Sequence, residues 1–119
     1  MADFISLRGN MSVMMCERGI RTFEDSSRFT LDLAGLQALS AMVNCPIWVD
    51  PSHAMGAREG VPNLSKAAIV SGARGLIIEM HPDPENALSD APQQITFDQA
   101  EKLVAQLNKL ASIESMVLV

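Results

Sequence analysis

Three short apolar runs, separated by helical segments, constrain the fold of this sequence more than any other feature. The runs lie at residues 12–16, 46–49 and 75–80, and each has the length of a buried strand rather than that of a helix. Strands that alternate with helices are typical of parallel βαβ units with right-handed crossovers. The sequence therefore predicts an α/β fold.

Local start and stop signals mark the helical segments. Thr96 and Gln99 have the spacing of a capping box, and Asp32 is placed to cap an earlier helix. Gly9 and Gly72 are stop signals at helix ends. The predicted helices cover residues 2–8, 32–43 and 61–71, and a last one starts at Thr96.

Three residues are spaced as the ligands of a metal site would be: His53, Glu79 and Asp90. The first two follow the apolar residues 47–49 and 76–78. An ionisable group at the end of a buried strand is costly unless a metal, a counter-charge or a ligand meets it. In closed α/β barrels, that position faces the active site. An imidazole with two carboxylates suits Mn²⁺, Fe²⁺, Co²⁺ or Zn²⁺. The spacing indicates a candidate divalent metal site.

Each of these residues also has a plainer explanation when it is taken singly. His53 lies in residues 50–53, which we expect to form the loop leaving the second strand, where a histidine is often a hydrogen-bonded structural residue. Glu79 could form a salt bridge at the rim of the sheet, and Asp90 could cap a turn. The spacing alone leaves these alternatives open.

The phase of the strands adds a candidate binding residue. Arg18 is in phase with Cys16, and Glu79 is in phase with Ile77, because side chains alternate along a strand. If both faces point inward, Arg18 lies near Glu79 and His53. A guanidinium beside a metal would bind a substrate that carries carboxylate and phosphate groups.

Other reactive side chains receive a structural interpretation. Arg21, Arg28 and Arg74 are expected to be solvated charges, although Arg21 is close to the predicted site. Cys16 and Cys45 are expected to be reduced thiols with a packing role, although a disulfide is also compatible with the sequence.

Length and charge exclude several classes of protein. With 119 residues, the chain is one domain or part of one. The net charge is −5, and Lys and Arg do not cluster, which argues against a nucleic-acid partner. No apolar run approaches the roughly 20 residues that span a bilayer, and the N-terminus lacks the basic region of a signal peptide. We expect a cytoplasmic protein without a membrane partner.

Three segments, in order, closely resemble a known enzyme family. These are CERGIRTFEDSSRFTLDL, PIWVDPSHAMG and EMHPDPENALSDAPQQ. They resemble the C-terminal part of the 3-deoxy-D-arabino-heptulosonate 7-phosphate (DAHP) synthases, in their shorter bacterial and archaeal form. The similarity extends from about residue 2 to about residue 112.

The resemblance implies roles for individual residues. His53, Glu79 and Asp90 match metal ligands of the family, and Arg18 matches the arginine that binds phosphoenolpyruvate. Asp50 matches a polar residue next to the metal, so a catalytic role for it is open. The implied reaction joins phosphoenolpyruvate to erythrose 4-phosphate and releases phosphate, as the first step of the shikimate pathway to the aromatic amino acids.

The resemblance also implies that much of the family fold is missing. The family forms a complete (β/α)₈ TIM barrel, whereas residues 1–119 resemble only its last three βα units. The strand with a cysteine metal ligand and a Lys-Pro-Arg-Thr segment for substrate binding have no counterpart. We therefore expect a C-terminal part of a barrel domain that is inactive alone and either self-associates or assembles with a complementary N-terminal half.

Two alternatives remain open. The 3-deoxy-octulosonate 8-phosphate synthases share the HPDP and ALSD segments, so the chain could be a fragment of that sister family. It could also be a non-catalytic fragment that acts as an interaction domain.

Overall fold

A small parallel sheet with helices packed on it forms the centre of the molecule. The computed structural model describes residues 2–117. The sheet has the strand order β1-β2-β3, and both pairings are parallel, which confirms the α/β prediction. The strands are β1 (Met15–Glu17), β2 (Ile47–Val49) and β3 (Gly75–Leu76), and the helices are α1 (Ala2–Leu7), α2 (Leu33–Met42), α3 (Pro51–Met55), α4 (Val61–Val70) and α5 (Phe97–Val117).

One face of the sheet is buried against α2 and α4. The side chains of Ile47 and Val49 both lie on this face of β2, and they pack on Leu36 of α2 and Ala68 of α4. A second cluster consists of Val61, Ile95 and Leu103, and it joins α4 to the long helix α5. These two clusters fix the helices relative to the sheet, so they determine where the ends of the strands lie.

The predicted helix caps are confirmed. The Asp32 carboxylate accepts a hydrogen bond from the backbone N–H of Gly35 at 2.7 Å. At the start of α5, the Thr96 hydroxyl accepts from the Gln99 backbone N–H, and the Gln99 side chain accepts from the Thr96 N–H. Both motifs satisfy backbone donors that have no partner within the helix.

Residues 50–53 do not form the predicted loop. Pro51–Met55 is a short helix, α3, and the Asp50 carboxylate caps it by accepting from the His53 backbone N–H at 3.0 Å. An Asp before a Pro is a helix-start signal, and it acts here directly after the strand. His53 is therefore held on a helix.

The third strand is shorter than the predicted 75–80. Regular pairing ends at Leu76, although the N–H of Ile77 still donates to the Val49 carbonyl. Farther along, Met80 forms an isolated parallel bridge with Ile95. The chain leaves β2 after Ile77 and turns to the segment before α5, which is a tertiary pairing that the local sequence does not encode.

The opposite face of the sheet is open. Cys16, which faces Trp48 across the register, is exposed, so the interpretation of Cys16 as a packing residue is wrong. Both Cys16 and Cys45 are free thiols. Among the described helices, none is long and apolar enough to cross a membrane.

Trp48 covers Gly75 on the neighbouring strand. A Cβ atom at Gly75 would lie 2.5 Å from Cε2 of the Trp48 indole, which is closer than real contacts allow. The glycine is therefore required by the close approach of the ring, and the indole fills the space a side chain would take.

We predict that Gly75→Ala lowers the free energy of unfolding by about 1–3 kcal/mol, the usual cost of overpacking. Chemical denaturation followed by far-UV circular dichroism measures this change. In a Trp48→Leu background the same substitution should cost clearly less, since the indole is the group that it meets. An equal cost in both backgrounds would contradict this explanation.

Candidate metal centre

The structure brings His53, Glu79 and Asp90 together beyond the carboxyl ends of the strands. One ligand atom from each residue lies within 4.8 Å of the other two, and the distance from His53 Nε2 to Glu79 Oε1 is 3.3 Å. The three residues come from α3, from the segment after β3, and from the turn before Ala91–Gln93. Their use as metal ligands stays a prediction at this point.

Asp50 orients the imidazole of His53. Its Oδ2 atom lies 2.7 Å from His53 Nδ1, while Oδ1 accepts from the His53 backbone N–H. A carboxylate can only accept, so Nδ1 carries the proton and Nε2 is the ring nitrogen that faces Glu79. Asp50 is only 3% exposed, so water competes little for these contacts. A histidine held by a carboxylate in this way is the usual arrangement behind a metal.

Arg18 is linked to the site by an ion pair with Asp50. Its Nε atom lies 3.5 Å from Asp50 Oδ2, and 58% of its side chain is exposed. Arg18 therefore lies one residue behind the imidazole of His53, as the ion-pair partner of Asp50. The guanidinium remains accessible to an anionic ligand from solvent.

Glu79 is held by two residues that the sequence analysis did not single out. Its backbone N–H donates to the Ser52 hydroxyl at 3.0 Å, and Ser52 is fully buried in α3. Its Oε2 atom accepts from the side-chain amide of Gln93 at 2.8 Å. Ser52 and Gln93 lie within the segments PIWVDPSHAMG and EMHPDPENALSDAPQQ, and membership of these segments is the signal by which the sequence could identify them.

The backbone at Asp90 is in the left-handed region, with a φ of 53°. Asp tolerates this conformation better than most residues that carry a Cβ atom. The following turn is held by Arg58, whose N–H donates to the Pro92 carbonyl and whose Nη2 donates to the Ala91 carbonyl. These contacts hold the turn that follows Asp90.

The interpretation of Arg28 as a solvated charge is incomplete, because its partly exposed guanidinium contacts two residues of the site. Its Nη1 atom lies 3.2 Å from Asp90 Oδ1 and 2.9 Å from the side-chain oxygen of Gln93. No local pattern signals this contact, because its partners lie more than 60 residues away from Arg28 along the chain.

Neither cysteine belongs to the cluster of candidate ligands. Partial burial raises the pKa of the Cys16 thiol, and the nearby carboxylates of Asp50 and Glu17 raise it further, while Arg18 opposes them. The thiol therefore stays protonated at neutral pH. His81, the second histidine, also lies outside the cluster, and its Nδ1 contacts the backbone of Asp83.

The donor set fits a divalent transition metal. Two ligands at about 2.2 Å from one ion are at most about 4.4 Å apart, so small side-chain movements would close the cluster. One imidazole nitrogen and two carboxylates suit a borderline ion. Arg28 and Arg18 offset part of the negative charge around them.

The sequence matches a known family model over most of its length. The model describes the DAHP synthetase I family, and it matches residues 1–115. A relative from Thermotoga maritima, named phospho-2-dehydro-3-deoxyheptonate aldolase, is 47% identical over 92% of this chain. A 2-dehydro-3-deoxyphosphooctonate aldolase from Desulfotalea psychrophila is 36% identical over 89% of the chain.

Solved structures agree with the sequence comparison. A truncated form of the 3-deoxy-D-arabino-heptulosonate 7-phosphate synthase from Thermotoga maritima superposes with a TM-score of 0.89 and 46% identity. The match covers 94% of this chain and 43% of that structure. The chain spans 32% of the Thermotoga maritima relative and 41% of the one from Desulfotalea psychrophila. On the extent of the family match and the identity to its members, this chain belongs to the DAHP synthetase I family.

Proposed function

We propose that residues 1–119 are the last three βα units of a (β/α)₈ barrel domain that condenses phosphoenolpyruvate with erythrose 4-phosphate to form DAHP and phosphate. The observation that carries the proposal is the cluster of His53, Glu79 and Asp90 beyond the ends of parallel strands. In a barrel enzyme, that end of the strands holds the active site. The identity of 47% to the Thermotoga maritima aldolase supports the same reaction.

In this proposal, His53, Glu79 and Asp90 hold a divalent ion, which is Mn²⁺, Fe²⁺, Co²⁺ or Zn²⁺. When bound, the ion would supply Lewis-acid polarisation of the aldehyde oxygen. Asp50 keeps the His53 proton on Nδ1, so that Nε2 remains a donor atom for the ion. Asp50 is thus assigned an orienting role.

Arg18 is assigned to the anionic groups of phosphoenolpyruvate. A guanidinium binds a carboxylate or a phosphate through two parallel hydrogen bonds. The methylene carbon of phosphoenolpyruvate forms a bond with the aldehyde carbon, and the aldehyde oxygen takes up a proton to become a hydroxyl. Water adds to the carbon that carries the phosphate ester and releases a proton, and the C–O bond to phosphate then breaks, which leaves a ketone and free phosphate. Arg18 offsets charge on the oxygens of this substrate during the reaction.

The sister activity is the second candidate. The 2-dehydro-3-deoxyphosphooctonate aldolase of Desulfotalea psychrophila covers the chain at 36% identity. Its eight-carbon product requires a five-carbon aldose phosphate, whereas the proposed seven-carbon product requires erythrose 4-phosphate. The identity to the Thermotoga maritima enzyme is higher, 47% against 36%, and this favours the formation of DAHP. Measuring the reaction rate with each aldose phosphate in turn distinguishes the two activities.

We predict weak divalent binding by the 119-residue chain, weakened at least tenfold further by His53→Ala. Loss of a residue that only orients a ligand already costs about 10–100-fold in affinity. Titration calorimetry with Co²⁺ or Zn²⁺ measures both constants. The matched control is His81→Ala, because His81 lies outside the cluster and should leave the affinity unchanged. Tight stoichiometric binding that survives His53→Ala would refute the assignment.

We predict that the isolated chain forms no measurable DAHP and self-associates. Within residues 2–117, β1 and β3 each pair only with β2, and exposed strand edges favour association. A chain comprising the unmatched part of the Thermotoga maritima relative should form a stoichiometric complex and restore turnover, since substrate positioning contributes many kcal/mol. Light scattering and phosphate release measure the two effects. A monomeric chain with full activity would contradict both.

In the restored complex, we predict that Arg18→Ala raises the KM for phosphoenolpyruvate about 10–100-fold, as expected for a lost charged hydrogen bond of about 1.5–3 kcal/mol. The KM for erythrose 4-phosphate should change little. Steady-state kinetics with each substrate varied in turn provides the measurement. The control is Arg74→Ala, because Arg74 is exposed and precedes β3, at the other end of the strand from the site. Equal effects on both substrates would argue against the assignment.

A further inference from the structure

A chain of three polar side chains leads from an exposed arginine to a candidate metal ligand. Arg28 Nη1 donates to Gln93 Oε1 at 2.9 Å, and Gln93 Nε2 donates to Glu79 Oε2 at 2.8 Å. Gln93 is only 2% exposed, so its amide lies between the two charged groups with almost no access to water. A buried amide with both ends occupied has a fixed position.

The chemistry of the neighbours also fixes the orientation of the amide. An arginine side chain only donates hydrogen bonds, so it must face the oxygen of Gln93 rather than the nitrogen. The amide N–H groups are then directed at Glu79, whose carboxylate only accepts. A reversed amide would face donor to donor at one end and acceptor to acceptor at the other.

This orientation leaves the two oxygens of Glu79 in different environments. Oε2 is occupied by the Gln93 amide, while Oε1 lies 3.3 Å from His53 Nε2, inside the cluster of candidate ligands. One oxygen is therefore reserved for the cluster, which favours binding of an ion through a single oxygen of this residue.

The main chain of the arginine segment is fixed to the helix that carries His53. The N–H of Arg28 donates to the Met55 carbonyl, and the N–H of Phe29 donates to the Ala54 carbonyl. A Cβ atom on Gly56 would lie 2.6 Å from the Cβ of Arg28, and Gly56 has a φ of 69°. A glycine is needed at position 56 for this approach, so the start of the polar chain is built into the fold.

We propose that Gln93 is a positioning residue of the metal centre. It holds Glu79 with one oxygen directed into the cluster, and Arg28 sets the direction of its amide while also pairing with Asp90. This inference rests on the proposed metal-binding function of His53, Glu79 and Asp90.

Co²⁺ is the probe of choice, because its visible absorption reports the geometry of its ligands and calorimetry reports its affinity. In Gln93→Met, a side chain of similar length removes both hydrogen bonds. We expect the Co²⁺ affinity to fall about tenfold, the lower end of the effect of losing a ligand-orienting partner. At saturating Co²⁺ the visible spectrum of the variant should also differ from that of the unmodified chain, which a general loss of stability would not produce.

The matched control is Gln37→Met. Gln37 makes the same kind of amide contact, to the Ser71 carbonyl, but it lies on α2, away from the cluster. Affinity and spectrum should stay those of the unmodified chain. Arg28→Met is the second test, because its exposed side chain is not needed to fill the core, and it should also weaken Co²⁺ binding and alter the spectrum.

The results of these experiments distinguish a failure of the role of Gln93 from a failure of the proposed metal-binding function. If the unmodified chain binds no Co²⁺, the metal centre and the role of Gln93 both fail. If it binds Co²⁺ and Gln93→Met keeps the same affinity and spectrum, the positioning role alone is overturned. If Gln93→Met does not fold, Arg28→Met decides, and an unchanged affinity and spectrum in that variant overturn the inference.

Discussion

The rest of the site depends on the contacts that the buried carboxylate of Asp50 makes. It caps α3, fixes the proton of His53 on Nδ1, and pairs with the exposed guanidinium of Arg18. A charge at this depth is costly unless hydrogen bonds and a counter-charge meet it, and here both are present. The same carboxylate helps to raise the pKa of Cys16, so it also keeps a nearby thiol protonated.

The candidate ligands are also held in place by residues that do not belong to the cluster. Ser52 fixes the backbone of Glu79, and Arg58 fixes the turn after Asp90. Two carboxylates close together repel each other, and Arg28 offsets part of that repulsion at Asp90. A divalent ion would offset the remainder, which is a physical reason for two carboxylates to lie so close together.

Features encoded by neighbouring residues could be predicted from the sequence. The caps at Asp32 and Thr96 depend on residues three positions away, and the alternation of strands and helices follows from local hydrophobic periods. The grouping of His53 with Glu79 follows from a general rule, because parallel strands end at one edge of a sheet. None of these inferences needed a long-range contact.

The features that prediction missed depend on distant residues. Arg28 contacts Gln93 and Asp90 across more than 60 positions, and no local pattern separates it from a solvated arginine. The third strand ends early, and Met80 beyond it pairs with Ile95. The helix at Pro51 is a different case, because its start signals, Asp50 and Pro51, are local and are also compatible with a loop. The contacts described for the three candidate ligands all lie between residues 18 and 95, where Ile95 donates its N–H to the Glu79 carbonyl, so the ligand cluster is assembled within this part of the chain. Under the proposed function, metal binding would therefore persist where turnover does not, because binding needs only this cluster, whereas turnover needs both substrates held in register.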